Sequence, residues 1–318
     1  MIKNKKIVIT GGAGAVGSNL CHELIKYNNK ILIIDNFISS RVSNIPKNPL
    51  VSYIDISILD PNCFNAIINF NPSYMFHLAA FFANQNSVDN PEIDLDINIK
   101  GTIKLLQIAE KLSIDKFIYT SSSCVYGKQN GELVESLRIG ELDTPYAISK
   151  YAAEHYCKFW NSYYNVPTII LRLFNSFGPW EHPGIYRNVI PNFFELALDK
   201  KPLTITGSGE ETRDFNYVEN TISGLINAAE SDKKNAEIYN IAAGAEIRII
   251  DMAKKINDIT SNNSGINFLP KRKWDNIQFR KSNIELAKKQ IKYRPQIDFN
   301  KGLEKTYEWF KSKDSLNE

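Results

Sequence analysis

Residues 5–35 read KKIVIT, GGAGAVG, SNLCHELIKYNNK and ILIID in turn, and this stretch decides the fold. An apolar, β-branched run that breaks into glycines and resumes as a helix predicts a strand, a tight turn and a helix. Gly11, Gly14 and Gly17, three residues apart, let the backbone turn sharply and approach a pyrophosphate closely. The following helix offers free N–H groups and the positive end of its dipole to phosphate. The stretch therefore predicts a dinucleotide-binding site.

The end of the second apolar run indicates which dinucleotide binds. Asp35 lies eighteen residues past Gly17, where a carboxylate can accept hydrogen bonds from a ribose 2′-OH. The same carboxylate repels a 2′-phosphate, and Asn36 and Phe37 supply no cation to hold one. NAD(H) is therefore favoured over NADP(H), although Arg41 lies six residues further on.

Length and composition argue against several classes of protein. The 318 residues can bury a large core and are expected to form two lobes. The net charge of +3 and the scattered lysines suggest neither a nucleic-acid-binding nor a membrane-surface protein. The first strand leaves no room for a signal peptide and no apolar run reaches membrane-spanning length, so a cytoplasmic protein is expected. The four cysteines form no CxxC pair and the four histidines lack ligand spacing, so no metal site is expected.

The apolar runs after Asp35 alternate with helical segments. Strands are predicted at 50–56, 73–80 and 116–122, and a sixth strand ends at Asn175; helices are predicted at 61–70, at 94–112 and from Pro145 onward. This alternation predicts an α/β fold, a Rossmann-type doubly wound parallel sheet with helices on both faces, joined to a smaller α+β substrate lobe. Asp55 falls at the carboxyl end of the third strand, where ligands meet such sheets.

A serine run and a Tyr-x-x-x-Lys pair carry the candidate chemistry. The fifth strand runs into Ser121, Ser122 and Ser123, and Tyr146 follows twenty-four residues after Ser122. Tyr146 and Lys150 are four residues apart, one helical turn on the same face. A phenol with a pKa of about 10 is no base at neutral pH, but a nearby ammonium and a cationic nicotinamide both favour the phenolate. The alternative, an ordinary solvated pair on a helix, is disfavoured by the glycine-rich turn and the serine run.

Together these motifs resemble the extended short-chain dehydrogenase/reductases, and within them the nucleotide-sugar epimerase/dehydratase family and its UDP-glucose 4-epimerase-like enzymes. The resemblance covers nearly the whole chain. It is carried by residues 10–17, 77–80, Asn98 with Gly101 and Thr102, 121–127, 146–150, 171–175, 178–179 and 209–215.

The resemblance implies a role for each matching residue. Ser122 would be the catalytic hydroxyl, Tyr146 the base and Lys150 its partner, which also holds the nicotinamide ribose. It implies NAD as the cofactor, bound by Gly11, Gly14, Ala15, Val16, Gly17, Asp35, Asn36, Asp55, Ile56, Leu78, Ala79, Ala80, Asn98, Tyr146 and Lys150.

The resemblance also implies a nucleotide-sugar substrate, with a UDP-hexose favoured. The residues that would contact it are Ser122, Ser123, Asn175, Val189, Arg213, Arg272 and Phe279. Arg213 matches an arginine that clamps the diphosphate, a role that suits the guanidinium fork; the alternative is a surface ion pair with Asp214. Arg272 resembles a second such arginine, although residues 271–274 lack the glycine usual in the family.

The same resemblance predicts domains and assembly. Residues 1–174 and about 213–243 would form the NAD-binding domain, and about 175–212 and 244–318 the nucleotide-sugar-binding lobe. Family members commonly pair through the helices at about 94–112 and 146–165, so a homodimer is expected.

The reaction depends on the two residues after the catalytic serine. The 4,6-dehydratases of the family carry an acid pair there, and the decarboxylating branch usually has a glutamate at the second position; here the residues are Ser123 and Cys124. The resemblance therefore favours epimerisation, most often at C4 of a UDP-hexose through a transient 4-keto sugar. The alternatives are another epimerised carbon or nucleotide, a 4,6-dehydratase, a dehydrogenase or keto-sugar reductase, and a non-catalytic NAD-binding regulator, which would not need Ser122, Tyr146 and Lys150 together.

Three positions depart from the usual family pattern or bear on the sugar. Phe81–Asn86 replaces commoner polar residues, and Glu211 stands where glutamine is usual; either change is compatible with an unusual sugar, nucleotide or epimerised carbon. Phe279 matches the position that admits or excludes an N-acetyl group in the 4-epimerases. Its bulky ring favours hexoses without that group.

Overall fold

The computed structural model describes residues 2–271 and 277–314. Within these ranges the strands are β1 Lys6–Thr10, β2 Lys30–Asp35, β3 Val51–Asp55, β4 Tyr74–His77, β5 Lys116–Ser122, β6 Gly131–Leu133, β7 Thr168–Leu173, β8 Ser176–Phe177, β9 Leu203–Thr206, β10 Thr212–Arg213, β11 Asn216–Tyr217, β12 Asn235–Ile241, β13 Ile247–Arg248, β14 Ile266–Leu269 and β15 Arg280–Ser282. The α-helices are α1 Ala15–Leu24, α2 Pro61–Phe70, α3 Asn84–Asp89, α4 Pro91–Leu95, α5 Thr102–Leu112, α6 Pro145–Tyr164, α7 Val189–Leu198, α8 Val218–Glu230, α9 Ile249–Thr260, α10 Glu285–Ile291 and α11 Phe299–Asp314.

A parallel sheet of seven strands forms the centre of the described structure, in the order β12-β7-β5-β4-β1-β2-β3. Its inner strands are apolar and almost entirely buried, as expected where helices cover both faces. One apolar core cluster includes Ile7, Ile9 and Ile33, and the other includes Val8, Leu32 and Ile34, so alternate side chains fill opposite faces. The predicted Rossmann-type doubly wound fold is confirmed.

The helix predicted over 94–112 is interrupted in the structure. α4 ends at Leu95, residues Asp96–Gly101 form a π-helix, and α5 starts at Thr102. The Thr102 hydroxyl donates to the Asn98 carbonyl at 2.7 Å and is thereby fixed inside this wide turn. Apolar spacing does not reveal such a turn, because one extra residue in a helix leaves most of the apolar face in place.

The fourth strand is shorter than the predicted 73–80. It ends at His77, after which Leu78 donates one bond to the Thr10 carbonyl at 3.1 Å and the chain leaves the ladder. Leu78, Ala79 and Ala80 thus form a loop at the carboxyl edge of the sheet, where ligands bind in such folds.

Smaller sheets lie outside the central one. β9 pairs in parallel with β14, β10 pairs antiparallel with β13, and β6 pairs in parallel with β15. The last pairing brings the segment around 280 next to the chain that follows the serine run. The division into two lobes with the boundaries given above stays a prediction.

Candidate active site

The glycine-rich turn has the form that the sequence predicts. Gly11 has φ +69°, and its amide donates to the Ile34 carbonyl at 2.8 Å. A Cβ on Gly11 would lie 2.6 Å from the Ala79 amide nitrogen, so the turn packs directly on the backbone of the neighbouring loop. α1 begins at Ala15 without a side-chain cap, which leaves its first N–H groups directed at the cavity described below.

Asp35 is held beside this turn by three hydrogen bonds. One carboxylate oxygen accepts from the Ala13 amide at 2.9 Å, and the other accepts from the Phe37 amide at 3.0 Å and the Ser40 hydroxyl at 2.9 Å. These bonds fix the carboxylate at the end of β2. This position beside the glycine-rich turn agrees with the predicted contact to a ribose, which stays a prediction.

A continuous cavity of about 680 Å³ runs from the glycine-rich turn to the end of β5. Most of the predicted site residues line it: Gly11, Gly14, Ala15, Val16, Gly17, Asp35, Asn36, Ile56, Leu78, Ala79, Ala80, Ser122, Ser123, Tyr146, Lys150 and Asn175. The residues predicted to hold the cofactor and those predicted to react thus share one cavity.

Local structure positions the reactive side chains. Ser122 ends β5, and its hydroxyl accepts from the Cys124 amide at 3.2 Å, which caps a short helical turn. Thr144 caps α6 by accepting from the Ala147 amide at 3.3 Å, with Pro145 in the first turn. This start places Tyr146 one residue inside the helix and within hydrogen-bonding reach of Ser122.

Burial dominates the electrostatics of Tyr146 and Lys150. It raises the pKa of the Tyr146 phenol above its usual range, and the hydrogen bond from Ser122 acts in the opposite direction. Burial also lowers the pKa of Lys150 to about 8, while Cys157, Asp94 and Glu154 act to raise it. Lys150 therefore stays mostly protonated at pH 7, with its Nζ 4.5 Å from the centre of the Tyr119 ring.

Asp55, Asn98 and Val189 are predicted contacts that do not line this cavity. Asp55 ends β3 directly opposite Asp35, but its side chain is exposed. Asn98 is buried, and its amide bonds both the N–H and the C=O of Phe81, at 2.8 and 3.1 Å, so it supports the loop at the cavity wall. Val189 starts α7 just behind Asn188, which does line the cavity.

A second cavity of about 140 Å³ adjoins the first through Ser123, Cys124 and Asn175. Arg213 lines it and donates to the carbonyls of Thr212 and Ile277 at 2.8 and 3.1 Å. The buried Arg280 lines it too, so two guanidinium groups outnumber the one carboxylate of the lining, that of Asp143, and the wall is cationic overall, which suits an anionic part of a ligand.

Phe279 and Arg272 are the remaining predicted substrate contacts. Phe279 is 50% exposed and lines neither cavity; its backbone carbonyl accepts from the Gly131 amide at 2.9 Å. Arg272 lies outside the described residues. Asp214, offered above as an ion-pair partner for Arg213, accepts instead from the backbone amides of Ala243 and Gly244, both at 2.9 Å.

Sequence reasoning missed several charged residues of the cavity walls, among them Arg280 and Glu181. Arg280, on β15, donates to the carbonyls of Ser123 and Gly127 and so holds the serine loop in place. Glu181 is 5% exposed in the wall of the larger cavity, where burial raises its carboxyl pKa to about 7. The pairing of β15 with β6 brings Arg280 to the site, and no local pattern in the sequence marks it.

The residues present fit NAD. Gly11, Gly14 and Gly17 line the cavity at the glycine-rich turn, Asp35 faces the same cavity, and Lys150 and Tyr146 lie at its far end. Among the described residues, no cluster of His, Cys, Asp or Glu could hold a metal ion. Within the same ranges, no helix has the length and apolar character needed to cross a membrane.

Comparison with known proteins places the chain in a family. The model of the NAD dependent epimerase/dehydratase family matches residues 7–242. UDP-N-acetyl-alpha-D-glucosaminuronate decarboxylase of Bacillus cytotoxicus is 33% identical, over 96% of this chain and 98% of that protein.

Two solved structures are similar in fold and sequence. Epimerase Mth375 of Methanothermobacter thermautotrophicus superposes with a TM-score of 0.96 and 41% identity, over 99% of this chain and 94% of that one. UDP-N-acetylglucosamine 4-epimerase of Methanobrevibacter ruminantium, in complex with UDP-N-acetylmuramic acid, superposes with a TM-score of 0.92 and 32% identity. The match covers 98% of this chain and 100% of that one. The chain thus belongs to the NAD dependent epimerase/dehydratase family, as an NAD-dependent enzyme that modifies nucleotide sugars.

Proposed function

We propose that this enzyme epimerises a nucleotide sugar at C4, with UDP-glucose and UDP-galactose as the first substrate pair to test. The observation that carries the proposal is the composition of the wall around Tyr146. Ser122, Tyr146 and Lys150 line one cavity, and Ser123 and Cys124 occupy the two positions at which the family resemblance implies an acid for dehydration or decarboxylation.

Each of the three residues has a distinct part in this reaction. Tyr146, as phenolate, takes the proton from the C4 hydroxyl, and the Ser122 hydroxyl holds the same oxygen. Burial opposes the phenolate, and Lys150, one helical turn away, would supply a positive charge that favours it. NAD⁺, when bound, would supply the hydride acceptor at C4 and afterwards the hydride donor, and Tyr146 would return the proton to the C4 oxygen. The keto sugar turns over between these two events, so no additional acid is needed.

The cationic wall of the smaller cavity supports binding of an anionic nucleotide sugar. Arg213 and Arg280 lie across Ser123 and Cys124 from the reacting groups, so they can take a diphosphate or another acidic group of the substrate. We infer that Arg213 contacts the diphosphate and that Asn175, which lines both cavities, contacts the sugar side.

A second candidate is the same reaction on a UDP-N-acetylhexosamine. The side chain of Phe279 is half exposed and lines neither cavity. At the proposed gate position its ring would therefore leave room for an N-acetyl group. The similarity to the Methanobrevibacter ruminantium 4-epimerase supports this candidate as well.

Proton NMR of a substrate panel without added cofactor tests the proposal. Conversion of UDP-glucose to UDP-galactose, or of UDP-N-acetylglucosamine to UDP-N-acetylgalactosamine, that is lost in Tyr146→Phe would support C4 epimerisation and identify the sugar. A 4-keto-6-deoxy sugar or a pentose product would contradict the inference from Ser123 and Cys124.

We also infer a homodimer formed through the helices at about 94–112 and 146–165, that is, the stretch from the end of α4 to the end of α5, and α6. Ile148, Tyr156, Phe159 and Tyr163 recur along one face of α6 and are all at least 38% exposed, and Ile93 of α4 is 48% exposed. Light scattering should therefore give the mass of two chains. Phe159→Glu should shift the protein towards monomer. Phe268→Glu, at a side chain of similar exposure (54% against 46%), should not. A monomeric wild type would contradict the inference.

A further inference from the structure

Arg187 is a cation in the wall of the larger cavity, and the reaction proposed above does not use it. Its guanidinium carbon lies 4.6 Å from the centre of the Phe82 ring, and both side chains line the cavity. The ring covers one face of the guanidinium and fixes its plane. Among the described residues, the guanidinium donates no hydrogen bond and forms no ion pair with a carboxylate. Its N–H groups are therefore available to a ligand.

The loop that carries Arg187 is held on two sides. The Asn192 side chain bonds both the N–H and the C=O of Gly184, at 2.8 and 3.1 Å, and the Arg187 amide donates to the same carbonyl at 3.0 Å. On the other side, the Tyr186 hydroxyl donates to the Asp89 carboxylate of α3 at 3.1 Å. These bonds fix the backbone that presents Arg187 beside α3.

The contacts of α3 connect Arg187 with the reacting end of the cavity. The Ser87 hydroxyl of α3 accepts from the Tyr146 amide at 3.0 Å, and Phe82 comes two residues before α3. The segment 82–89 therefore links the guanidinium to the start of α6, where the catalytic phenol lies. The glycine-rich turn lies at the other end of the cavity.

Glu181 is the acidic neighbour of Arg187, but the two do not form an ion pair. One oxygen of Glu181 accepts from the Asn188 amide at 2.8 Å, and the other is buried without a hydrogen-bond partner in the described structure. Burial raises the pKa of this carboxyl to about 7, against the opposing effects of Asn188 and Arg187. The carboxyl is thus about half protonated at pH 7 and compensates the charge of Arg187 only in part.

We propose that Arg187 binds a carboxylate on the sugar of the substrate, so that the preferred ligand is a nucleotide hexuronate. A carboxylate accepts two parallel hydrogen bonds from a guanidinium, and stacking on Phe82 orients this fork in advance. Arg213 and the cationic wall of the smaller cavity are available for the diphosphate, so Arg187 adds a second anion site. The proposal deepens the proposed function and rests on it for the position of the sugar.

The position of the carboxylate follows from the position of Arg187. C5 of a hexose is bonded to C4, so a carboxylate on C5 lies beside the carbon that would react with Tyr146. The guanidinium, linked through α3 to the start of α6, is on the side of the cavity that suits such a group. Phe82 belongs to Phe81–Asn86, the segment that replaces commoner polar residues of the family, and its ring gains a role as the platform for Arg187.

The test compares the binding of UDP-glucuronate and UDP-glucose by calorimetry. NAD-loaded protein carrying Tyr146→Phe is used, so that binding is measured without turnover. The two ligands differ only at C6, which is a carboxylate in the first and a hydroxymethyl group in the second. UDP-glucuronate should bind about tenfold or more tightly than UDP-glucose. Adding Arg187→Gln should weaken UDP-glucuronate about tenfold to hundredfold and change UDP-glucose less than about twofold.

Arg248→Gln is the matched control, because it removes the same charge from a guanidinium that pairs with Asp251 at 2.7 Å on the surface. It should leave both affinities unchanged, and a loss of UDP-glucuronate affinity equal to that of Arg187→Gln would contradict a direct contact. If Arg187→Gln weakens both ligands alike, Arg187 contacts the diphosphate and the proposal is wrong. Equal affinity of the two ligands before Arg187 is changed would also overturn it.

A second variant keeps the test decisive if Arg187→Gln does not fold. Arg187→Lys keeps the charge without the fork and should lower the preference for UDP-glucuronate by a smaller factor. An unchanged preference in that variant would overturn the proposal. Because these measurements need no turnover, their failure is distinct from failure of C4 epimerisation, which the products of the substrate panel decide.

Discussion

Gly11→Ala tests how the turn and the neighbouring loop form the cofactor site. At φ +69° an alanine costs about 1–2 kcal/mol in backbone conformation alone. Its Cβ would also lie 2.6 Å from the Ala79 amide nitrogen, 2.8 Å from its Cα and 2.9 Å from the Leu78 carbonyl carbon. All three are backbone atoms, so relief requires β1 and the loop to separate, at about 1–3 kcal/mol. We expect a total loss of about 2–5 kcal/mol in the free energy of unfolding.

Gly131→Ala is the control that separates the two contributions. Gly131 has φ +92°, but a Cβ there would meet no atom within 4 Å, so only the conformational cost applies. Urea unfolding of both variants should show Gly11→Ala as the less stable by about 1–3 kcal/mol. Calorimetry should show NAD binding weakened at least about tenfold in Gly11→Ala, from the loss of one or more phosphate hydrogen bonds, and unchanged in Gly131→Ala. Equal stability of the two variants, with wild-type NAD affinity in Gly11→Ala, would refute this account of the turn.

Two further predictions concern single carboxylates of the larger cavity. Glu181 has a folded-state pKa of about 7 against 4.5 in the unfolded chain, so its contribution to stability is greatest at low pH and is lost as pH rises from 4.5 to 7. Glu181→Gln should therefore match the wild type near pH 4.5 and exceed it by about 3 kcal/mol in urea unfolding at pH 8; equal stability at both pH values would contradict this. Asp35→Asn keeps the shape of a side chain that faces the adenosine end but removes its charge, so NADP⁺ affinity should rise relative to NAD⁺ by about tenfold in parallel titrations. An unchanged ratio would show that Asp35 does not determine the cofactor preference.

Local signals in the sequence predicted two helices accurately, and one of them carries Tyr146 and Lys150. α2 spans Pro61–Phe70 as predicted, because Asp60 caps its start and Asn71 ends it in the left-handed conformation. α6 begins at Pro145 behind its Thr144 cap, and this start fixes the face that Tyr146 and Lys150 share. Capping and helix periodicity depend on neighbouring residues, so the sequence alone is sufficient to predict them.

Contacts between distant segments were beyond such reasoning. Arg280 reaches Ser123 only because β15 pairs with β6. The π-helix at Asp96–Gly101 likewise depends on tertiary bonds of Asn98. Burial then sets the pKa of Lys150 and Glu181, and burial is a property of the whole fold.

The most direct test of C4 epimerisation is the fate of the hydrogen on C4. UDP-glucose deuterated at C4 is incubated in ordinary water with the enzyme and without added cofactor, and the product is examined by NMR and mass spectrometry. We predict UDP-galactose that retains the deuterium at C4, because the hydride leaves to bound NAD⁺ and returns to the same carbon. Loss of the deuterium to solvent, or inversion at a different carbon, would contradict the account.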